Sequence, residues 1–478
     1  MWGERLKIIL VNSPSIDIYG PIKISAGRYF PLGIGYLAAV IKKQGHEVVF
    51  LDPEVQGLNA DAVKELLFRA KPDIVGISCA TPNFKQALKI ASFAKICSTA
   101  MVILGGVHAS AVPEWILKNS TDIDVVVIGE GENTMLELCA HIGSNQPLEL
   151  KKIKGIAYRK EKEVIINPSR ELIDDVDSLP FPARELVNIN LYRPHPYVNK
   201  NKKSATILTS RGCPHYCVFC AAHITMGHKF RYHSAEYVLS EITHLYTVLG
   251  VNHFVINDDT FTIIRDRVET ICDGIIRNNL KIDWYCFMRV NNVDRELIRL
   301  MKRAGCSNIG FGVESGDEAV LKTLRKGITL DQCRKAFEIC NRERIKTLAF
   351  FVFGSEGENA STVAKTINFA KELKPTLAFF NMLVPYPGTT VFEKFYKDKI
   401  TDFTNMDNFV AIGPRASVEP ISFTKKELQK YIVHANVIFY IRLKQLWRIL
   451  SHIESWGELN IHLKAGLGLL LQMASWRK

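Results

Sequence analysis

Three cysteines, Cys213, Cys217 and Cys220, fall within eight residues of one another. Their spacing is CxxxCxxC, and they follow a short run, Ala205–Thr209, that reads as a strand. Three thiolates this close in sequence can converge on one metal centre. A structural zinc ion needs a fourth ligand, normally from paired CxxC knuckles, and His215 and His223 lie near enough in sequence to offer one. An iron–sulfur cubane has four iron corners. Three cysteines leave one of those irons open to a substrate or cofactor. Tyr216 and Phe219 inside the loop suit packing around a cluster. The remaining eight of the 11 cysteines are scattered through the chain, mostly in apolar, periodic segments. They read as buried small hydrophobes, and the odd total argues against a disulfide framework.

The elements around the loop must position it. Downstream, SAEYVLSEITHLYTVLG reads as a helix capped by Ser234, and HFVINDDTF as a strand ending in Asn257, Asp258 and Asp259. DWYCFMRV ends at Arg289, and NIGFGVESG carries Glu314 and Ser315. IKTLAFFVFG and TLAFFNMLVPYPGT complete six strands, counting Ala205–Thr209. A helix follows each but the last, and polar residues gather at the strands' carboxyl ends, where barrel active sites lie. The pattern predicts a partial (β/α)6 TIM-like barrel over residues 204–424.

Residues 1–146 read differently. Short β-branched runs at Leu6–Asn12, Glu47–Asp52, Asp73–Ser78, Met101–Gly106 and Asp124–Gly131 alternate with amphipathic stretches. Continuous apolar strands separated by helices imply a parallel sheet covered on both faces, hence a doubly wound, Rossmann-like α/β domain. Ligands of such sheets sit beyond the strands' carboxyl ends. There the chain places Ser78 and Thr81, then Gly105, Gly106 and His108, then Gly129 and Glu130. The first strand runs into NSPSIDIYG, without the GxGxxG of a nicotinamide site. Residues 147–203, with a hairpin-like IKGIAYRKEKEVIINP and the proline-rich DDVDSLPFPARELV, read as a linker.

Composition narrows the function. Apolar residues make up 47% and charged residues 23%, so a disordered or fibrous chain is excluded. No apolar run reaches the ~18 residues of a spanning helix, and the N-terminus lacks a signal-peptide pattern, so a cytoplasmic protein is expected. The net charge is +12, and half of that excess falls in residues 425–478, a helical tail. Within it FYIRLKQLWRIL sets Arg442, Lys444, Gln445 and Arg448 on one arc, and LKAGLGLLLQMASWRK ends the chain. The tail reads as a cap over the barrel, with peripheral contact at the inner face of the membrane as an addition.

RGCPHYCVFC, INDDTF, GVESG and PYPGT resemble the radical S-adenosylmethionine superfamily. GGVHAS…PEW and DVVVIGEGENT resemble its cobalamin-binding subgroup, which includes radical methyltransferases and the anaerobic magnesium-protoporphyrin cyclase. The resemblance spans about residues 6–420. It implies a 4Fe-4S cluster on Cys213, Cys217 and Cys220, with S-adenosylmethionine chelating the open iron and yielding a deoxyadenosyl radical upon one-electron reduction. It nominates Asn257, Asp258, Asp259, Arg289, Glu314 and Ser315 for that cofactor. Ser78, Thr81, Gly105, Gly106, His108, Gly129 and Glu130 are nominated for cobalamin. No DxHxxG is present, so cobalamin without a histidine ligand to cobalt is implied, and His108 is read as a loop contact.

The expected activity is methylation of an unactivated carbon of a small or lipid-like substrate, with an electron donor such as a flavodoxin or ferredoxin. A cobalamin-associated cyclase, oxidoreductase or rearrangement enzyme is the alternative. A zinc-stabilised nucleic-acid-binding protein is disfavoured, because the basic charge does not surround the cysteines, and no nucleic-acid partner is expected. A methylthiotransferase would need a second cluster set in the first domain, where only Cys79, Cys97 and Cys139 are on offer.

Overall fold

The computed structural model describes residues 4–15, 27–144, 149–195, 202–411 and 416–450. The first sheet holds β1 (Lys7–Asn12), β2 (Glu47–Leu51), β3 (Ile74–Ser78), β4 (Met101–Gly105), β5 (Val125–Val127), β6 (Ile156–Lys160) and β7 (Glu163–Ile166), in the order β2-β1-β3-β4-β5-β6-β7. β1 to β5 pair in parallel, and β6 and β7 add on antiparallel. The chain reverses its direction of travel between β1 and β3, which marks the ligand-binding edge of such sheets. Period-2 alternation fills two cores from one strand. Ile8 and Leu10 of β1 pack beneath helices Leu32–Lys43 and Glu132–Ile142, and Ile9 and Val11 beneath Ala60–Ala70 and Phe84–Cys97. The hairpin read as part of the linker is thus the edge of this sheet. The rest of that segment crosses to the barrel, where Arg184 bonds Glu241 at 2.7 Å and the Thr206 carbonyl at 2.6 Å.

The second sheet begins with β8 (Ser204–Ile207). A two-residue antiparallel ladder, β9 (Ser210–Arg211) with β10 (Arg231–Tyr232), then brackets the cysteine loop. β11 (His253–Ile256), β12 (Asp283–Met288), β13 (Cys306–Glu314), β14 (Lys346–Phe353) and β15 (Leu377–Met382) follow. The six principal strands are all parallel, in sequence order, with crossover helices between them. This is the expected partial barrel. Helix starts are capped where the sequence offers a cap: the Ser234 hydroxyl accepts from Tyr237 N at 3.1 Å, and Asp294 accepts from Glu296 N and Leu297 N.

Helices Lys425–Tyr440 and Leu443–Leu450 dock beside β15. Leu428, Ala435 and Phe439 join the barrel's outer core, and Gln445 donates to the Thr376 carbonyl at 2.9 Å. The described half of the tail is therefore a cap. Gln445, on the same arc as Arg442, Lys444 and Arg448, is buried and faces the barrel. The apolar run LKAGLGLLLQMASWRK lies outside the described residues. No helix among the described residues is long and apolar enough to cross a membrane.

Candidate active site

The cysteine loop is held from three sides. At its base Asp258, buried at the end of β11, accepts from Thr209 N, Thr209 Oγ1 and Ser210 Oγ, each at 2.6 Å. Further along, Val218 N donates to the Leu324 carbonyl, and the Val218 carbonyl accepts from Val391 N. Gly212 at φ +80° turns the chain into the loop, where a Cβ would collide with the Lys229 carbonyl. Cys213, Cys217 and Cys220 are unpaired and half-buried. Burial pushes the Cys220 thiol up to about 11, and Asp259, Cys217 and Cys213 push it in the same direction, so the three thiols share one neighbourhood.

A zinc ion would draw its thiolates to within ~3.8 Å of one another. Among the described residues, no three His, Cys, Asp or Glu side chains converge closely enough to hold a single ion. His223 stacks on His228 at 4.9 Å and His228 on Tyr216 at 4.1 Å, so these rings pack on one another beside the loop. A cubane, with each thiolate on a separate iron, suits the three-cysteine loop better. A second cluster in the first domain has no basis: Cys79 and Cys139 are buried in cores on opposite faces of the sheet.

The polar residues at the barrel mouth divide. Asn257 and Asp259 stand open at the end of β11. Although Asp259 reaches solvent, desolvation of its carboxyl by the surrounding mouth, helped by Asp258, pushes it up to about 6. Arg289 donates to the carbonyls of Lys326 and Gly327, while its buried Nε has no partner. Glu314 ends β13 at a bulge, with φ +66°, a conformation a non-glycine residue holds only when its surroundings enforce it. Its Oε1 accepts from Lys326 Nζ at 2.7 Å, and both residues are at most 9% exposed. A Cβ at Gly312 would strike both partners, so that glycine makes room for the pair. Burial disfavours the Lys326 ammonium, but Glu314 and Cys217 outweigh it and raise its pKa.

Two of the residues nominated for S-adenosylmethionine are occupied otherwise. Both oxygens of Asp258 anchor the loop base. The Ser315 hydroxyl is fully buried, within 3.1 Å of Thr366 Oγ1, and accepts from Asp317 N. Lys326 was not legible in the sequence. It sits in a turn, LRKG, with no motif, and only the fold brings it to Glu314.

On the first domain, Ser78, Gly105 and Gly129 lie half-buried at the strands' carboxyl ends. A Cβ at Gly105 would meet nothing nearer than 3.9 Å, and one at Gly129 nothing nearer than 3.8 Å, the Thr225 carbonyl of the barrel domain. Neither glycine is tightly enclosed, and Gly129 borders the barrel domain, which suits a ligand held between the domains. Gly106, at φ +100°, packs its α-carbon onto the Cys79 backbone, so it shapes the turn. Three nominated side chains point elsewhere. His108 is fully buried, with Nδ1 3.1 Å from Thr81 Oγ1 and its ring 4.4 Å from Phe84. Burial depresses its pKa to about 3, so it is a neutral core histidine rather than a loop contact. Thr81 is its partner. Glu130 accepts from Arg211 Nη1 at 2.9 Å and from Arg231 Nη1 at 2.8 Å, and Glu132 accepts from Arg211 Nη2 at 2.7 Å. All four side chains are buried. Arg211 directly precedes Gly212-Cys213, so this network ties the cysteine loop to the glycine loop after β5.

A doubly wound domain and a parallel partial barrel, meeting at a three-cysteine loop, define a radical S-adenosylmethionine enzyme with an added ligand domain. Residues 23–139 match the B12-binding domain family and residues 207–370 the radical SAM superfamily. An uncharacterised methyltransferase of Pyrococcus horikoshii is 32% identical, over 92% of this chain and 94% of that relative. The anaerobic magnesium-protoporphyrin IX monomethyl ester cyclase of Rubrivivax gelatinosus is 30% identical, over 80% of this chain and 70% of its own. The fold is shared with the methyltransferase TsrM of Kitasatospora setae, at a TM-score of 0.68 and 19% identity, covering 83% of this chain and 78% of that one. The chain belongs to the cobalamin-binding radical S-adenosylmethionine enzymes, whose cofactors are a 4Fe-4S cluster, S-adenosylmethionine and cobalamin.

Proposed function

We propose that this enzyme transfers a methyl group to an unactivated carbon of a small or lipid-like molecule. The observation that supports the reading is the buried bridge from Arg211 to Glu130 and Glu132, which joins the cysteine loop to the glycine loop after β5. When bound, the three cofactors supply an electron, a hydrogen-abstracting radical and a transferable methyl group. Cys213, Cys217 and Cys220 each hold one iron of the cluster. Arg289 and Lys326 supply positive charge for the carboxylate of S-adenosylmethionine. Asn257, Asp259 and Glu314 offer acceptors for its ammonium and ribose hydroxyls. Ser78 and the backbone at Gly105 and Gly129 would receive cobalamin, with Gly106 shaping the turn between them. The electron comes from a flavodoxin or ferredoxin, and a peripheral contact with the inner face of the membrane would bring the enzyme to a lipid-like substrate.

Anaerobic incubation of cluster- and cobalamin-loaded protein with methyl-deuterated S-adenosylmethionine and cell extract tests this. A product heavier by one deuterated methyl group is expected, with deoxyadenosine and S-adenosylhomocysteine formed together. Cys217→Ala should abolish deoxyadenosine. A product with no added methyl group would overturn methyl transfer in favour of cyclisation, oxidation or rearrangement.

A further inference from the structure

Alternate residues of the barrel strands face opposite sides. The outward set is sealed beneath helices: Phe311 on β13 and Phe351 on β14 are 0% exposed, and Phe380 on β15 is 6% exposed. The inward set forms two rows fixed by register. In the lower row Gly310, Leu348 and Leu377 are direct partners, all buried. One step nearer the strands' carboxyl ends, Gly312, Phe350 and Phe379 are direct partners, and all three are only half-buried. Phe287 on β12 is half-buried too. Inside a six-stranded barrel, such residues mark a space that water enters.

The rings make a continuous wall. Phe350 and Phe379 stack at 5.1 Å with their planes 12° apart, and Phe287 lies 6.0 Å from Phe350. The bare strand behind them is required: a Cβ at Gly310 would come within 2.6 Å of Tyr285 Oη and 2.8 Å of the Phe287 ring. Val255, Tyr285, Leu348 and Leu377 form the floor. Tyr440 of the tail packs against it, its hydroxyl held by Ala378 N and the Ala378 carbonyl. Polar side chains stand at the rim, at Asn257, Arg289, Glu314 and Asn381, and again below the floor, where His253 partners Asp283 and Asn308 partners Lys346; the Tyr285 hydroxyl lies within the floor itself.

Apolar surface left wet costs about 25 cal/mol per Å². A ligand covering the rings with hydrocarbon recovers that energy. A charged or hydrogen-bonding group placed there would be stripped of water with no partner among the rings. We infer that this ring row is the substrate subsite and takes an uncharged, hydrocarbon-rich group, such as a fused-ring or isoprenoid portion of the substrate. The inference rests on the methyl-transfer reading and narrows its substrate class. The competing occupant is the adenine of S-adenosylmethionine, itself flat.

Anaerobic titration of the cluster-loaded full chain with pyrene, a neutral fused-ring hydrocarbon, decides the matter alongside equilibrium dialysis of S-adenosylmethionine. Saturable binding of one pyrene per chain is expected. Phe350→Ala and Phe379→Ala should each weaken it by about tenfold through lost apolar contact, with the affinity for S-adenosylmethionine unchanged. Phe350→Trp, which restores apolar area, should keep it, and Ile96→Ala on the exposed face of the first domain should have no effect. Cluster absorbance reports that each variant is folded. Should an alanine variant lose its cluster, Phe379→Leu breaks the stack while keeping an apolar side chain and should still weaken pyrene binding. Binding that is absent, or indifferent to the ring variants, overturns the inference. So does a Phe350→Ala protein that loses S-adenosylmethionine and keeps pyrene, which would assign the rings to adenine. Pyrene binding without cleavage of S-adenosylmethionine would sink methyl transfer and spare the subsite. A methylated product that is charged and polar throughout would do the reverse.

Discussion

Two buried charges at the barrel mouth carry distinct consequences. Lys326 neutralises Glu314 in a largely buried site. Removing one partner of a buried pair costs about 3–5 kcal/mol, because the survivor keeps its desolvation penalty. Lys326→Gln should therefore destabilise the chain by about that amount in urea unfolding and weaken S-adenosylmethionine at least about tenfold, whereas Lys326→Arg should retain most of both. Glu358 shows the opposite situation. Its Oε2 accepts from Gly354 N and Ser355 N, its Oε1 has no partner, and burial pushes its pKa from 4.5 to about 7. Between those two values the folded chain holds a proton that the unfolded chain has released. Folding stability is thus full below pH 4.5 and falls until about pH 7, by about 3 kcal/mol in all. Glu358→Gln keeps the acceptor without the charge. Relative to the native protein it should gain about that much as pH rises from about 5 to 8; a pH-independent difference in urea midpoints would contradict the assignment.

At the scale of elements, the β9–β10 ladder and the turn after β5 act as one unit. The arginines Arg211 and Arg231 lie on the ladder, the glutamates Glu130 and Glu132 after β5, and all are shielded from salt and water. Glu130→Gln leaves Arg231 without its carboxylate and Arg211 with one of two. An expected loss of about 3 kcal/mol follows from the uncompensated buried charge. Because Arg211 stands two residues before Cys213, the same variant should lose its cluster to a chelator faster than the native protein. A chelation rate equal to the native one would show that the bridge does not brace the loop. A glutamate in a glycine loop at a strand's end reads as a ligand contact, and only the neighbouring domain supplies the two arginines that occupy Glu130.

For the whole molecule, the tail decides how the basic excess is used. Arg442 bonds the Phe439 carbonyl and lies over the Phe439 ring at 5.0 Å, and Arg448 donates to the Lys374 carbonyl. Arg448 thus ties the tail to the barrel, and Arg442 stabilises the turn between the two tail helices. Replacing both with Gln should lower stability by about 1–2 kcal/mol, in line with charged hydrogen bonds lost at a partly wet surface, and leave flotation with anionic liposomes unchanged. A salt-sensitive flotation that vanished in this variant would return the arc to the membrane role first read for it.

The strands and the chemistry of the cysteines were set by local sequence. Alternation within Lys7–Asn12 and within Cys306–Glu314 fixes which side chains face which core, and CxxxCxxC fixes three ligands, because both depend only on neighbours along the chain. Hence the doubly wound domain and the six parallel barrel strands were legible in advance, while the cofactor set came with the family resemblance of the motifs. Partnership between distant side chains was not. Asp258 and Asp259 are adjacent and identical, yet one is locked beneath the loop and the other stands open at the mouth. His108 reads as a loop contact in GGVHAS until Phe84 and Thr81 close over it. Lys326 gains its role from a bulge at Glu314, and Phe350 and Phe379 gain theirs from register across a sheet. A residue's type and its neighbours in sequence say what it can do. Burial and charge contributed by other elements determine what it does, and those arise only when the chain is folded.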